Sequence, residues 1–139
     1  MIRNIMFQSR GFSLFELLIT LSIIGIVTLV TLPAYTEHVT HEHRIEAEIA
    51  LEKLAASLEQ YNTLYNTYQG ATLQSLGDSE MVSNNTYQLS IMSATDIEFL
   101  LKATPIGEQA NKDKQCGSLT LNSKGEKGIT AQGKTSDCW

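Results

Sequence analysis

Residues 12–32 read FSLFELLITLSIIGIVTLVTL, with fourteen large apolar residues and a single charge, Glu16. As a helix rising 1.5 Å per residue this stretch is about 30 Å long, the hydrocarbon thickness of a bilayer. Arg3 and Arg10 precede it and no acid does, whereas Glu37 and Glu42 follow it. The positive-inside rule therefore directs the N-terminus to the cytoplasm and residues 34–139 to the far side of the membrane. A buried helix of a soluble domain is the competing reading, but the length and the flanks favour the membrane. A secretory signal peptide has a shorter apolar run, followed by a small-residue cleavage site. Here the run continues into Leu32-Pro33-Ala34-Tyr35, which offers no clear site, and no cysteine lies near it for a lipid anchor. The segment is expected to remain in the mature protein.

Glu16 is the anomaly in that stretch. A charge at mid-bilayer costs about 2.5–3.5 kcal/mol on insertion scales, and such residues are candidates for function. Its place near the cytoplasmic end lowers the cost, and the positive end of the helix dipole would favour a carboxylate there. Position alone leaves both readings open.

Outward from this stretch, the 139-residue chain has room for one domain with one modest core, which rules out a multidomain enzyme. Hydrophobic residues make up 42% and charged residues 18%, so the chain is neither disordered nor collagen-like. A net charge of −5 argues against the whole chain holding a polyanion. Two cysteines are too few for a disulfide-dense scaffold or a four-cysteine zinc site.

Ala47, Leu51, Leu54, Leu58, Tyr61, Tyr65 and Tyr68 recur alternately every four and three residues, which predicts a continuous helical stripe. Pro33 lacks the amide that would bond the carbonyl of Leu29, so it should kink the helix without having to end it. One helix is expected over roughly 12–66, stopped by Gly70, with its second half packed on a head. The tyrosines are expected in the core, and Ile45, Ile49 and Ala56 fall on the opposite side, suited to contacts between subunits.

Residues 70–85 read as a loop. Alternating runs follow at Tyr87, Leu89 and Ile91, at Phe99, Leu101 and Ala103, and at Leu119 and Leu121, with a weaker run over 127–131 after the turn Asn122-Ser123-Lys124-Gly125. Pro105 should close the second run. Three or four antiparallel strands with one face on the helix give an α+β head. Cys116 and Cys138 lie in the part that topology places outside the cytoplasm, where an oxidising compartment favours a disulfide. That bond would pin the C-terminal segment, with Trp139, onto the sheet.

The run Gly11-Phe12-Ser13-Leu14-Phe15-Glu16-Leu17-Leu18-Ile19, followed by Gly25, Pro33 and Tyr35, resembles the prepilin N-terminus of type IV pilins and related pseudopilins. Phe15 departs conservatively from it, since many members have an aliphatic residue there. Tyr-Gln-Gly-Ala-Thr-Leu at 68–73, Ala-Thr-Pro at 103–105 and Cys-Gly-Ser-Leu-Thr-Leu-Asn at 116–122 further resemble PilE-like minor pilins. The resemblance implies a pilin-like α+β fold and three segments: a leader over 1–11, a transmembrane and filament-core helix over 12–33, and a periplasmic head over 34–139. It implies cleavage between Gly11 and Phe12 by the prepilin peptidase and N-methylation of Phe12. It marks Gly25 and Pro33 as places where the helix bends or melts, and it agrees with a Cys116–Cys138 bond.

The function expected is that of a structural subunit, more a minor than a major pilin, of a type IV pilus serving adhesion, twitching motility or DNA uptake. Before assembly it would sit once through the inner membrane, N-terminus in the cytoplasm, and afterwards in the extracellular filament. Its partners would be other pilin subunits, the peptidase and an inner-membrane assembly platform. Glu16 is then expected to meet the amine of Phe12 during assembly.

Two alternatives share this N-terminus. One is a type II secretion pseudopilin, against which the C-terminal cysteine pair argues. The other is a DNA receptor, since residues 102–139 carry six lysines and four acids while 37–60 is net −4. His38 and His41, among Glu37 and Glu42, are three apart and could share a helix face as metal ligands do. His43 lies elsewhere on the wheel, however, and HEHRI is not the HExxH zinc-protease spacing, so a solvated helix segment is the better reading. No phosphate loop, nucleophile elbow or CxxC occurs. No enzyme, metal or cofactor is expected.

Overall fold

The computed structural model describes residues 11–82 and 85–139, apart from the side chains of 30–34. The expected leader therefore lies, but for Gly11, outside the described residues. The chain divides into two compact units, Met1–Thr36 and Glu37–Trp139. A 52-residue helix, α1 (Leu14–Tyr65), supplies the first unit and opens the second, and its backbone stays helical through Pro33.

In the second unit the stripe is real as far as Leu58. Ala47, Leu51, Leu54 and Leu58 are all but sealed from solvent, and each leucine so buried is worth about 1.5–3 kcal/mol. Beyond Leu58 the expectation fails: Tyr61 is half-buried and Tyr65 is 62% exposed. The helix ends before Gly70, at Asn66, whose φ of 57° is a left-handed conformation that asparagine tolerates at a helix end. Tyr68 consequently reaches the core from a turn and not from the helix. Its hydroxyl donates to both oxygens of Glu59 at 3.0 Å, and its ring meets Phe99 edge-on with centroids 5.0 Å apart.

The loop between helix and sheet holds a short helix the sequence pattern did not reveal, α2 (Leu73–Leu76). It is fixed by a reciprocal cap between Thr72 and Ser75. Four strands follow, β1 (Tyr87–Ala94), β2 (Phe99–Pro105), β3 (Leu119–Asn122) and β4 (Lys127–Ile129), antiparallel and in the order β1-β2-β3-β4. Pro105 is the last residue of β2, paired with Tyr87. Tyr87, Leu89, Phe99, Leu101, Ala103, Leu119 and Leu121 all point into the core with the α1 stripe. The pairing of β1 with β2 slips between Ile91 and Ser93, so Met92 is an extra residue that ends the inward alternation. Two more short helices, α3 (Gly107–Lys112) and α4 (Thr135–Cys138), flank the last pair of strands.

Candidate functional site

Gly11 and Phe12 are exposed and precede the first turn of α1. Ser13 caps it, its side-chain oxygen accepting from the Phe15 amide at 3.3 Å and its carbonyl from the Leu17 amide at 3.2 Å. Three residues past the cap, Glu16 stands in the first turn, where the helix dipole favours its charge. Phe12 and Glu16 are one helical turn apart in sequence.

Every residue from Leu14 to Leu29 is exposed, and the apolar ones run round all sides of the helix. Leu14 is 79% and Ile26 66% exposed, with Leu17, Leu21, Ile23 and Ile24 between them all more than half exposed. A helix apolar on every side is stable only when lipid or other helices cover it. The hydroxyls in this stretch need no water. Thr20 donates to the carbonyl of Leu17 at 2.9 Å, Ser22 to that of Leu18 at 2.8 Å and Thr28 to that of Ile24 at 2.8 Å. Glu16 is the exception: it has no polar partner among the described residues. Gly25 leaves open space where a side chain would stand. Among the described residues no helix is long and apolar enough to cross a membrane. The expected span runs into residues 30–34, whose side chains, that of Pro33 included, lie outside the described residues.

In the head a polar network holds the C-terminal loop to α1. Arg44 grips Asp113 with two bonds, Nε to Oδ2 at 2.9 Å and Nη2 to Oδ1 at 2.6 Å. The Tyr87 hydroxyl donates to the same Oδ2 at 2.7 Å, and the Gln109 amide donates to the Thr40 carbonyl at 2.9 Å. Asp113 is 2% exposed and Arg44 nearly buried, so this is an ion pair in low dielectric with its donors and acceptors met. The Asp113 bond, opposed by burial, raises the Arg44 guanidinium above its usual value, and burial raises the Tyr87 phenol. Sequence reasoning missed this network. Arg44 and Asp113 are 69 residues apart in sequence, and the available signal was a lone Arg44 among acids.

Cys116 and Cys138 form the expected disulfide. Both are buried against the sheet, and Trp139 Nε1 donates to the Gly128 carbonyl at 2.9 Å. Gly133 approaches the Gln115 backbone so closely that any side chain would collide with it. Of the six lysines after residue 101, three are paired: Lys112 with Glu108, Lys124 with Glu98, and Lys127 with Glu52, the last also over the Trp139 ring. Lys102, Lys114 and Lys134 have no acid partner among the described residues. Of the histidines, His38 pairs with Glu42 at 3.1 Å and His43 meets the Gln109 oxygen at 3.1 Å. Among the described residues no group of three or more metal-ligating side chains gathers.

Two family models match. Residues 6–32 match the prokaryotic N-terminal methylation motif, and residues 33–120 match the family described as type IV minor pilin ComP, DNA uptake sequence receptor. The chain is 28% identical to fimbrial protein Q of Moraxella bovis, over 94% of this chain and 90% of that one. It is 32% identical to a fimbrial protein of Neisseria meningitidis over 64% of this chain and 44% of the relative. Its fold is similar to the crystal structure of the Neisseria meningitidis non-core minor pilin PilV, with a TM-score of 0.55 and 20% identity over 70% of this chain and 92% of that one.

Proposed function

This chain belongs to the type IV minor pilin family, and from that premise we propose how it matures and enters the filament. It is a structural subunit of a type IV pilus, assembled with other pilin subunits and anchored in the membrane beforehand. The prepilin peptidase cuts between Gly11 and Phe12 at the cytoplasmic face of the inner membrane, and the new Phe12 amine is methylated. The single-pass subunit then waits, N-terminus in the cytoplasm, until the assembly platform draws it into the filament. There its helix joins a shared apolar core, with Gly25 and Pro33 as the points where it can bend.

The observation that carries this reading is the stretch Leu14–Leu29, apolar on every side with one carboxylate in its first turn. Cleavage leaves an ammonium one turn from that carboxylate. In an apolar core each charge is costly alone, and far less so when paired. Pairing can occur within a chain, or between an incoming Phe12 amine and Glu16 of its neighbour, which would reward correct register. Intact mass of the native protein tests the first step: it should equal the 139-residue chain less its eleven-residue leader, plus one methyl and less the two hydrogens lost to the Cys116–Cys138 bond. An N-terminus at Ala34 or later would overturn it.

A second reading, pilus-borne DNA reception, is favoured by the description of the matching family. It would rest on Lys102, Lys114 and Lys134, the lysines of the last third left without acid partners. Three phosphate contacts give a salt slope of about −3, so binding by the full-length protein should be weak and lost early as salt rises. Binding that ignores salt, or that survives replacement of all three lysines by Gln, would rule out this lysine site, and no binding even at low salt would rule out DNA reception itself.

A further inference from the structure

On the head, α1 and the segment joining α2 to β1 leave a groove of ≈ 330 Å³, lined by Glu46, Ile49 and Lys53 of α1, by Asp78 and Val82, and by Leu89 of β1. Two oxygens there are unmet: Glu46 Oε2 and Asp78 Oδ2 are buried and make no hydrogen bond among the described residues. The Asp78 side chain is only 6% exposed, and Lys53, itself mostly in solvent, takes only its other oxygen, at 3.0 Å. Buried carboxylate oxygens without donors are unfavourable. A group that satisfies them while touching Ile49, Val82 and Leu89 carries N–H donors at the end of an aliphatic stem. A lysine side chain has that form.

The head displays such side chains elsewhere. Lys53, Lys112, Lys124 and Lys127 are committed to acids of their own chain. Lys114 and Lys134 are exposed, have no acid partner among the described residues, and flank the 2.9 Å bond from the Gly133 amide to the Gln115 carbonyl. The segment after Lys134 packs on β4 through Trp139, whereas the groove lies along β1, and β1 and β4 are the two edges of the sheet. A contact between unlike edges is heterologous, the kind that propagates along a filament and does not close into a dimer.

We propose that the Glu46–Asp78 groove seats a disulfide-loop lysine, Lys134 or its neighbour Lys114, from a second copy of this chain. The contact rests on the reading of the chain as a filament subunit and names one of its lateral partners. A lysine so seated is withheld from phosphates, so this contact removes one of the three lysines on which DNA binding would rest.

The test uses the full-length chain in sheared filaments, with Ser79→Cys at the exposed rim of the groove and a short thiol-to-amine cross-linker. Cells expressing isotopically light and heavy copies distinguish contacts between chains from those within one. The expected product joins position 79 of one copy to Lys134 or Lys114 of the other. Asp78→Asn should lower its yield about thirtyfold, as for a buried charge pair losing one partner. Glu46→Gln should act in the same direction and serves if Asp78→Asn does not fold. Cross-links confined to Lys53 of the same chain, or leading to lysines of another pilin, would overturn the proposal, as would an undiminished yield in both carboxylate variants. Incorporation of the Ser79→Cys chain is read from the same filaments, so failure of the contact is distinguishable from failure of the subunit to assemble.

Discussion

Asp113→Asn should destabilise the head more than any other change of equal volume. The carboxylate accepts from Arg44 twice, at 2.9 and 2.6 Å, from the Tyr87 hydroxyl at 2.7 Å and from Gln109 at 3.4 Å. The amide keeps the shape but strands a guanidinium whose side chain is only 12% exposed. Removing one partner of a buried pair costs about 3–5 kcal/mol, and the partial exposure of Arg44 places this case at the lower end, about 3. For a head of this size each kcal/mol lowers the melting midpoint by about 4–8 °C, so the fall should be about 12–24 °C. The assay is thermal unfolding of the full-length, disulfide-intact chain in detergent, followed by near-ultraviolet circular dichroism. Arg44→Met added to Asp113→Asn removes the stranded cation and should recover part of the loss. If Asp113→Asn melts within about 3 °C of the wild type, the network is a consequence of the fold and not a support of it.

Two further outcomes follow from the head. Cys116→Ser opens a 22-residue loop and should cost about 3 kcal/mol, measured as a lower urea midpoint and a lower steady-state level; two alkylatable thiols in unreduced native protein would refute the bond. The buried Tyr87 phenol is raised above its ordinary value, so the folded state holds its proton after the unfolded chain releases it. That contribution to stability is complete below pH ~10 and is lost as pH climbs above it. The midpoint should therefore fall in alkali, and Tyr87→Phe should fall less steeply; parallel curves would show that another group governs the loss.

How much of this was legible beforehand depended on how local the cause was. The stripe to Leu58 and the alternation in β1, β2 and β3 each follow from spacing within a few residues, and each appears where expected. The end of α1 falls at Tyr65, within a residue of the expected 66, but the stop is the left-handed turn at Asn66 and not Gly70, so the tyrosine stripe loses its helix sooner than its spacing implied. Tyr65 was misassigned for the same reason: a helix that stops at residue 65 has no core left to face there. Helices α2, α3 and α4, of four to six residues, are too short to show a period. The Arg44–Asp113 pair and the groove oxygens of Glu46 and Asp78 arise from contacts that only the folded chain creates.

The apolar stalk with its single acid is, on this reading, what admits the subunit to the filament. This role is tested most directly by measuring how much of the chain enters sheared pili when Glu16 is replaced by Val. Cells should also express the other pilins, and the membrane pool should be quantified beside the filaments. Wild-type chain should be found in the filaments, and Glu16→Val chain should be inserted, folded and disulfide-bonded yet held back in the membrane. Equal amounts of variant and wild type in the filaments, or no wild-type chain there at all, would contradict this role.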